Sequence, residues 1–330
     1  MNVLFAISTI ILAMATAFAL WLWFRSATLS EFRRCADGRM PTIRHEWRQL
    51  TRLEQINYIF ALQCLRNLPS KFFSERRDVG RYDDFVYVHY ENRFESHRAA
   101  GLLPWHRWFL ALFERSLRSE CSYDGPFPYW DWTQDWENPG QSPVLNELYG
   151  FGGNGDPRWN STLVDGWCLQ TGPFAKATIP YFAAARGEDS HCLSRKFSAG
   201  DTFDGWDLRP ESVQQVLQKK TYWDMAQALE AGPHDALHSG IGGDLPTLFS
   251  PADPLFYLHH GQIDRLWLIW QKITPAHAKD YGGHSSSSVG RPAEVGDILP
   301  AEGLATNITV KDILDVEGSV LCYSYDDYTI

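Results

Sequence analysis

The sequence predicts a mainly α fold, a bundle of helices wrapped by long irregular loops with few short strands. Three observations carry that reading. Apolar residues recur at intervals of three and four in several stretches, the period of a helix with one buried face. The middle of the chain, from Tyr123 to Pro210, is instead dense in Gly, Pro, Asn and Asp (NGDPRWN, TGPF), which favours turns and irregular connections. Finally, the histidine-bearing stretches fall into two helix pairs, one early and one late in the chain.

In chain order, the first helix is expected over Arg44 to Asn67, where Trp47, Leu50, Leu53, Ile56, Ile59, Phe60 and Cys64 form the apolar stripe before Pro69 and Ser70. A second begins near Tyr82 and carries His89. A third starts at Pro104, a residue suited to a first turn because its missing N–H has no partner to lose there, and continues to about Cys121. After the irregular middle, helical patterning returns at Glu211 to Glu230, at His234 to Ser239 and from Pro254 to about Lys272. Beyond Pro275 a Gly/Ser-rich patch (GGHSSSSVGRP) reads as a loop before a short strand-bearing tail that ends near Tyr328.

Composition narrows the function classes. A chain of 330 residues with 44% hydrophobic content suffices for one sizeable domain. A formal charge of −10, with no Lys/Arg-rich block able to neutralise a run of phosphates, excludes a general nucleic-acid binder and favours a small-molecule partner.

From Val3 to Phe24 the chain carries no charge, a length that crosses a hydrocarbon core of roughly 30 Å, so residues 1–25 are read as a membrane anchor and 26–330 as the functional domain. A cleaved signal peptide is the rival. Ala13–Ala15 and Ala17–Ala19 offer the small-residue spacing, but there is no basic n-region and the apolar run is long. Arg25, Arg33 and Arg34 would hold the following side in the cytoplasm. Two glycosylation sequons (Asn160-Ser-Thr, Asn307-Ile-Thr) and six cysteines without a CxxC pair point the other way, to disulfides in an oxidising compartment. The expectation is a single-pass protein of the secretory pathway with a lumenal or extracellular domain, or a secreted one after signal cleavage.

The chemistry lies in the histidines. Of 11, six fall into two groups with similar surroundings: His89, His97 and His106 in FVYVHYENRFESHRAAGLLPWHRWFLALFE, and His234, His238 and His260 in GPHDALHSGIGGDLPTLFSPADPLFYLHHGQIDRLW. His234 and His238, four apart on one helix, share a face and can share a metal. Imidazole clusters without thiolate or carboxylate partners favour copper over zinc or magnesium. A zinc-protease reading needs HExxH, and here the chain reads His-Asp-Ala-Leu-His. A lone histidine on an apolar helix is ordinarily a core residue; two matched sets are not so explained.

Over about Cys35 to Gln271 the chain resembles the short fungal tyrosinase and polyphenol oxidase-like proteins. The motifs are Leu103-Pro-Trp-His-Arg-Trp-Phe, Pro128-Tyr-Trp-Asp-Trp, Asp253-Pro-Leu-Phe-Tyr-Leu-His-His and Asp264-Arg265. The resemblance implies an antiparallel four-helix bundle holding a dinuclear type 3 copper centre, with His89, His97 and His106 on one copper ion and His234, His238 and His260 on the other. His260 is preferred to His259 because the family ligand lies four residues before an aspartate, here Asp264. It further implies dioxygen as co-substrate and oxidation of o-diphenols to o-quinones, with monophenol hydroxylation as an added activity. The substrate is then a small phenol or a tyrosine-containing precursor in fungal secondary metabolism.

Asp264 or Asp131 is expected to orient the second ring nitrogen of a ligand. Glu230 and Asp235 are the candidate pair for taking a phenol proton, and Phe256 is a candidate wall of the substrate pocket. Glu95 stands two residues before His97 with no cysteine near, so no thioether crosslink to that histidine is expected. Only about 58 residues follow the last bundle helix, which argues against a full C-terminal lid domain. The competing readings are a haemocyanin-like oxygen carrier without turnover and a copper-free relative; the six ligand positions being intact speaks against the latter.

Overall fold

The stretch expected as one helix from Arg44 divides into a strand, a 3-10 turn and a shorter helix. Residues Thr42–Glu46 form a strand flanked by two parallel neighbours, Pro128–Tyr129 and Tyr323–Tyr325. A single 3-10 turn, Trp47–Gln49, follows, and helix α1 runs only from Arg52 to Asn67. One distant pairing and one local cap set that break. The buried Arg44 guanidinium reaches Glu114 and Asp264 from the strand, and Thr51 closes a reciprocal capping box with Glu54 that starts the helix. Trp47 and Leu50 are buried, so their helix-like spacing reflects burial and not helix. The computed structural model describes residues 35–180, 190–287 and 290–330. The anchor expected over residues 1–25 lies outside them, and no helix of the described residues is long and apolar enough to cross a membrane.

Helix α2 spans Arg81–Glu91, a short α3 spans Arg93–Ser96 and α4 spans Leu102–Cys121, placing Pro104 inside its first turn. Through the middle, the described residues hold only 3-10 turns and pairs of two- or three-residue strands, such as Trp167–Cys168 with Ser194–Arg195 and Thr178–Pro180 with Ser190–Cys192. The single helix expected over Glu211–Glu230 is two, α5 (Pro210–Leu217) and α6 (Tyr222–Leu229). The hydroxyl of Thr221 accepts from the Asp224 amide and begins α6 afresh. A π-helical turn, Glu230–His234, leads into α7 (Asp235–Ile241), and α8 runs Leu255–Ile273.

Helices α2, α4, α7 and α8 form the antiparallel bundle. Between α4 and α8, His106 faces His260 and Phe113 stacks on Tyr257, while Arg107 reaches Asp264 and Gln271, so residue numbers rise in opposite directions. Between α2 and α4, Arg81 meets Glu120 while His89 meets His106. Between α7 and α8, His234 meets His260 while His238 meets Phe256. Helix α1 packs outside, burying Tyr58, Ile59, Leu62 and Leu65.

All six cysteines are paired: Cys35–Cys322 joins the two ends of the described domain, Cys64–Cys121 ties the end of α1 to the end of α4, and Cys168–Cys192 staples the irregular middle. The tail lies against the bundle through the strand Tyr323–Tyr325, whose two tyrosine hydroxyls donate to Asp264.

Candidate metal centre

Both histidine groups predicted from sequence close up in space. One ring nitrogen each from His89, His97 and His106 lies within 4.8 Å of the others, and the same holds for His234, His238, His259 and His260. The bundle brings them about: His89 ends α2, His97 caps α3, His106 sits one turn into α4, His234 and His238 flank the start of α7, and His259 and His260 sit one turn into α8. The π-helical turn matters here. Gly232 leaves helical geometry (φ −99°, ψ −108°) and Pro233 follows, which turns Glu230 and His234 inward together.

Backbone carbonyls decide which ring nitrogen faces the centre. His89 Nδ1 lies 2.8 Å from the Leu248 carbonyl, His106 Nδ1 2.7 Å from that of Leu102, and His238 Nδ1 2.5 Å from that of Leu245. His97 Nδ1 lies 3.3 Å from the Arg93 carbonyl and 3.1 Å from the Ser96 hydroxyl. A carbonyl only accepts, so each of these Nδ1 atoms carries the proton and the Nε2 lone pair is left free. The Nε2 atoms of His89, His106, His234 and His238, and both ring nitrogens of His259 and His260, are buried without a hydrogen-bond partner among the described residues. Orphaned buried acceptors carry a cost unless something binds them, and neutral imidazole donors without thiolate or carboxylate partners are a set that copper accepts. Burial, with the neighbouring imidazoles, pushes the pKa of His89 and His238 down to about 3 and holds those of His97, His106, His259 and His260 well below the ordinary range. Neutral imidazole, the form that ligates a metal, is therefore the resting state of these rings.

The two groups meet where His106 stacks on His260, ring centres 4.2 Å apart. His259 lies on the other side of that helix turn, against His238 and Trp132. The geometry thus brings both histidines of the His259–His260 pair to the second group but turns only His260 onto His106.

Three expected supporting roles need correction. Asp264 does not touch a histidine; it lies between Arg107 Nε (2.5 Å), Arg44 Nη1 (3.2 Å) and the hydroxyls of Tyr323 (2.5 Å) and Tyr325 (2.6 Å). Asp131 accepts from Thr133, Gln134 and Gln262 instead. The ligand-orienting work they were expected to do falls to carbonyls for His89, His97, His106 and His238, which no residue type announces, and to the Asp235 carboxylate for His234. Phe256 is fully buried, 4.2 Å from the His260 ring and 5.2 Å from that of His89, so it packs beneath the histidines and is not a face of the open cavity.

That cavity, about 310 Å³, is lined by His89, His97, His234 and His238 together with Arg98, Glu230 and Asp235. Glu230 is buried; its Oε1 accepts from the Arg98 amide at 2.8 Å and its Oε2 has no partner among the described residues. Burial pushes its carboxyl pKa up. Asp235 accepts from His234 Nδ1 at 2.9 Å and from the Arg98 guanidinium. Burial would raise its pKa, but these two partners outweigh it and hold the carboxyl below its usual range.

Sequence reasoning missed Arg98, which bonds to both carboxylates from a left-handed backbone (φ 53°) directly after His97. It also missed the loop from Gly242 to Ser250. Gly242 and Gly243 both adopt positive φ (66° and 62°), and a Cβ on Gly243 would lie 2.1 Å from the Ser194 carbonyl. This turn folds the loop back so that Leu245 and Leu248 offer their carbonyls to one histidine in each group. The Gly-Gly pair was the available signal for a tight turn; nothing in it marked the carbonyls.

Comparison with known proteins bears on this geometry. Residues 79–273 match the family model for the common central domain of tyrosinase. The chain is 39% identical over 307 residues to the tyrosinase-like protein phomQ1' of Diaporthe leptostromiformis, covering 87% of this chain and 80% of that protein. It is 38% identical over 305 residues to the tyrosinase ustQ of Aspergillus flavus, covering 91% and 83%. Among solved structures, a point mutant of a polyphenol oxidase from Thermothelomyces thermophila superposes with a TM-score of 0.76 at 28% identity, over 95% of this chain and 96% of that one. A functional unit of octopus hemocyanin shares the fold, with a TM-score of 0.59 at 20% identity over 88% and 69%. The matched stretch takes in every histidine of both groups, and on these grounds the chain belongs to the tyrosinase family of type 3 copper oxidoreductases.

Proposed function

We propose that this chain oxidises o-diphenols to o-quinones with dioxygen as co-substrate, and that its substrate is a small phenol or a tyrosine-containing precursor. The observation that carries the reading is the pair of facing histidine groups, in which the Nε2 atoms of all but His97 are buried without partners among the described residues. His89, His97 and His106 would hold one copper ion, and His234, His238 and His260 the other. Bound there, the coppers supply dioxygen binding and electron transfer, so that two catechols and one dioxygen yield two quinones and two waters.

The chain's own residues prepare the substrate. The cavity admits a phenol ring to the face formed by His89, His97, His234 and His238. Glu230, with one free carboxylate oxygen and a raised pKa, is placed to take the phenol proton. Asp235 stays ionised and, with Arg98, keeps His234 and Glu230 in position. This proton path supports hydroxylation of monophenols as a second activity.

A haemocyanin-like carrier shares the fold, but the cavity over the histidines is bordered by exposed Leu248 and Ser239, which gives a substrate a route inward. The three disulfides support an oxidising compartment. The exposed Asn160 and Asn307 support glycosylation there, with residues 1–25 serving as anchor or cleaved signal.

The test is to load the full chain with copper, measure metal stoichiometry and the oxygenated absorption spectrum, and follow quinone formation from a catechol and its monophenol. Two coppers with catechol turnover is the expected result. An oxygenated spectrum without quinone would make the chain a carrier, and failure to bind copper would remove the reading altogether.

A further inference from the structure

A second, larger cavity of about 710 Å³ adjoins the histidine cavity and has no part in the chemistry above. The two share a wall made of Ser239 and the segment Pro246–Leu248. Leu248 is the pivot between them. Its carbonyl holds His89 at 2.8 Å, while its side chain remains 41% exposed at the junction.

The far wall of the second cavity is apolar. Phe249 stacks on Tyr90, ring centres 5.0 Å apart and 7° from parallel. Phe197 is buried opposite, and Leu163 and Val164, both only partly buried, come from the irregular middle of the chain. At the rim, Lys196 and Asp165 bond to each other at 2.7 Å, so the charges there are mutually satisfied, while Ser198 and Thr247 add polar groups beside the apolar wall. A cavity of this size has room for a drug-sized organic group.

We infer that this cavity is a subsite of the same oxidation site, taking an extended apolar substituent attached to the phenol ring. The inference rests on the dicopper oxidase reading above. A phenol at His89 and His238 places its ring beside the shared wall, and a chain leaving the ring past Leu248 enters the second cavity. The substrate class is therefore a phenol or catechol bearing a long acyl group, in preference to a bare phenol. Selectivity arises from apolar burial remote from the reacting atoms, which raises kcat/KM for the extended substrate without altering the chemistry at the ring.

The experiment uses the copper-loaded full chain and a matched pair of catechols, N-acetyldopamine and N-octanoyldopamine, which share ring and amide and differ only in methylenes. The octanoyl compound should show at least about tenfold higher kcat/KM, since each buried methylene strengthens binding several-fold. Val164→Trp, which fills the second cavity away from the histidines, should abolish that advantage and leave copper content and N-acetyldopamine turnover unchanged. Val164→Asp, which makes the wall polar without filling it, should reduce the advantage in the same direction. Equal kcat/KM for the two catechols, or an octanoyl preference that survives both substitutions, overturns the subsite. If neither catechol is oxidised by the copper-loaded chain, it is the oxidase reading that fails, and the two failures are distinct.

Discussion

The imidazoles of His106 and His260 lie stacked, 4.2 Å apart and 10° from parallel, and this contact is where the two histidine groups face each other. His259, one residue away, turns to His238 and Trp132. The arrangement predicts different outcomes for neighbouring substitutions. His260→Ala should lose the second copper and with it catechol turnover. His259→Ala should keep two coppers, since His259 makes no hydrogen bond to a ligand and only packs against His238 and Trp132. Metal analysis and the oxygenated spectrum of the two variants decide it; the reverse pattern would assign His259 as the ligand.

Glu230 accepts the Arg98 amide with one oxygen and leaves the other free within the histidine cavity. Glu230→Gln keeps the shape and removes the proton acceptor. Monophenol hydroxylation should fall by about 10²-fold, the usual worth of a positioned base, while catechol oxidation changes far less. Side-by-side rates on a monophenol and its catechol check this. A parallel loss on both substrates would mean that Glu230 only holds the site together.

Asp264 carries the buried junction between bundle and tail, bonded to Arg44, Arg107, Tyr323 and Tyr325. Burial alone would raise its pKa, yet Arg107 and Arg44 hold it below the usual range. The sign follows: a carboxyl whose folded pKa lies below its unfolded value adds stability at neutral pH that is lost as pH falls through the folded pKa. Asp264→Asn leaves two buried guanidinium groups short of a charge and should cost about 3–5 kcal/mol. Denaturant unfolding measures the loss. Copper stoichiometry in the variant that still folds should remain two, because no histidine touches this aspartate.

The sequence made the helices and the ligands legible far better than what holds them. Helix α2 begins, and α4 and α8 begin and end, within a few residues of expectation, because their apolar spacing, Pro104 and the flanking loops are local signals. The division of the first helix was not legible: Trp47 and Leu50 keep the helical spacing, and what pulls Arg44 into a strand is its pairing with Glu114 and Asp264, far along the chain. The six histidines stood out by their doubled surroundings. Their orienting partners did not, since the Leu102, Leu245 and Leu248 carbonyls belong to residues whose side chains say nothing of hydrogen bonding. Arg98 was hidden for a related reason: its partners, Glu230 and Asp235, lie more than 130 residues away.

The Cys35–Cys322 bridge closes a loop of 287 residues and joins the start of the described domain to its tail. In the chain-entropy picture such a loop contributes up to about 5 kcal/mol by restricting the unfolded state. Replacing both cysteines by serine should therefore lower stability by a few kcal/mol, read as a shift in the denaturant midpoint. Copper content and catechol turnover at moderate temperature should persist, since the bridge lies away from the residues that line the histidine cavity.

Asp83 supplies a pH test independent of the metal centre. It is buried at the start of α2; one oxygen accepts the Gly80 amide at 2.8 Å and the other has no partner among the described residues. Burial pushes its pKa up to about 6, with Arg66 opposing the shift. The folded state thus holds this proton more tightly than the unfolded state, whose carboxyl titrates near 3.9. Between those values the native protein binds more protons than the unfolded one, so stability falls as pH rises from about 4 to about 6, by about 3 kcal/mol from this group alone. Asp83→Asn retains an acceptor for Gly80 but cannot ionise. Unfolding curves from pH 4 to pH 7 should show the variant losing less stability than the parent across that window, and standing more stable than the parent above pH 6. Equal slopes for the two proteins would mean that Asp83 titrates normally.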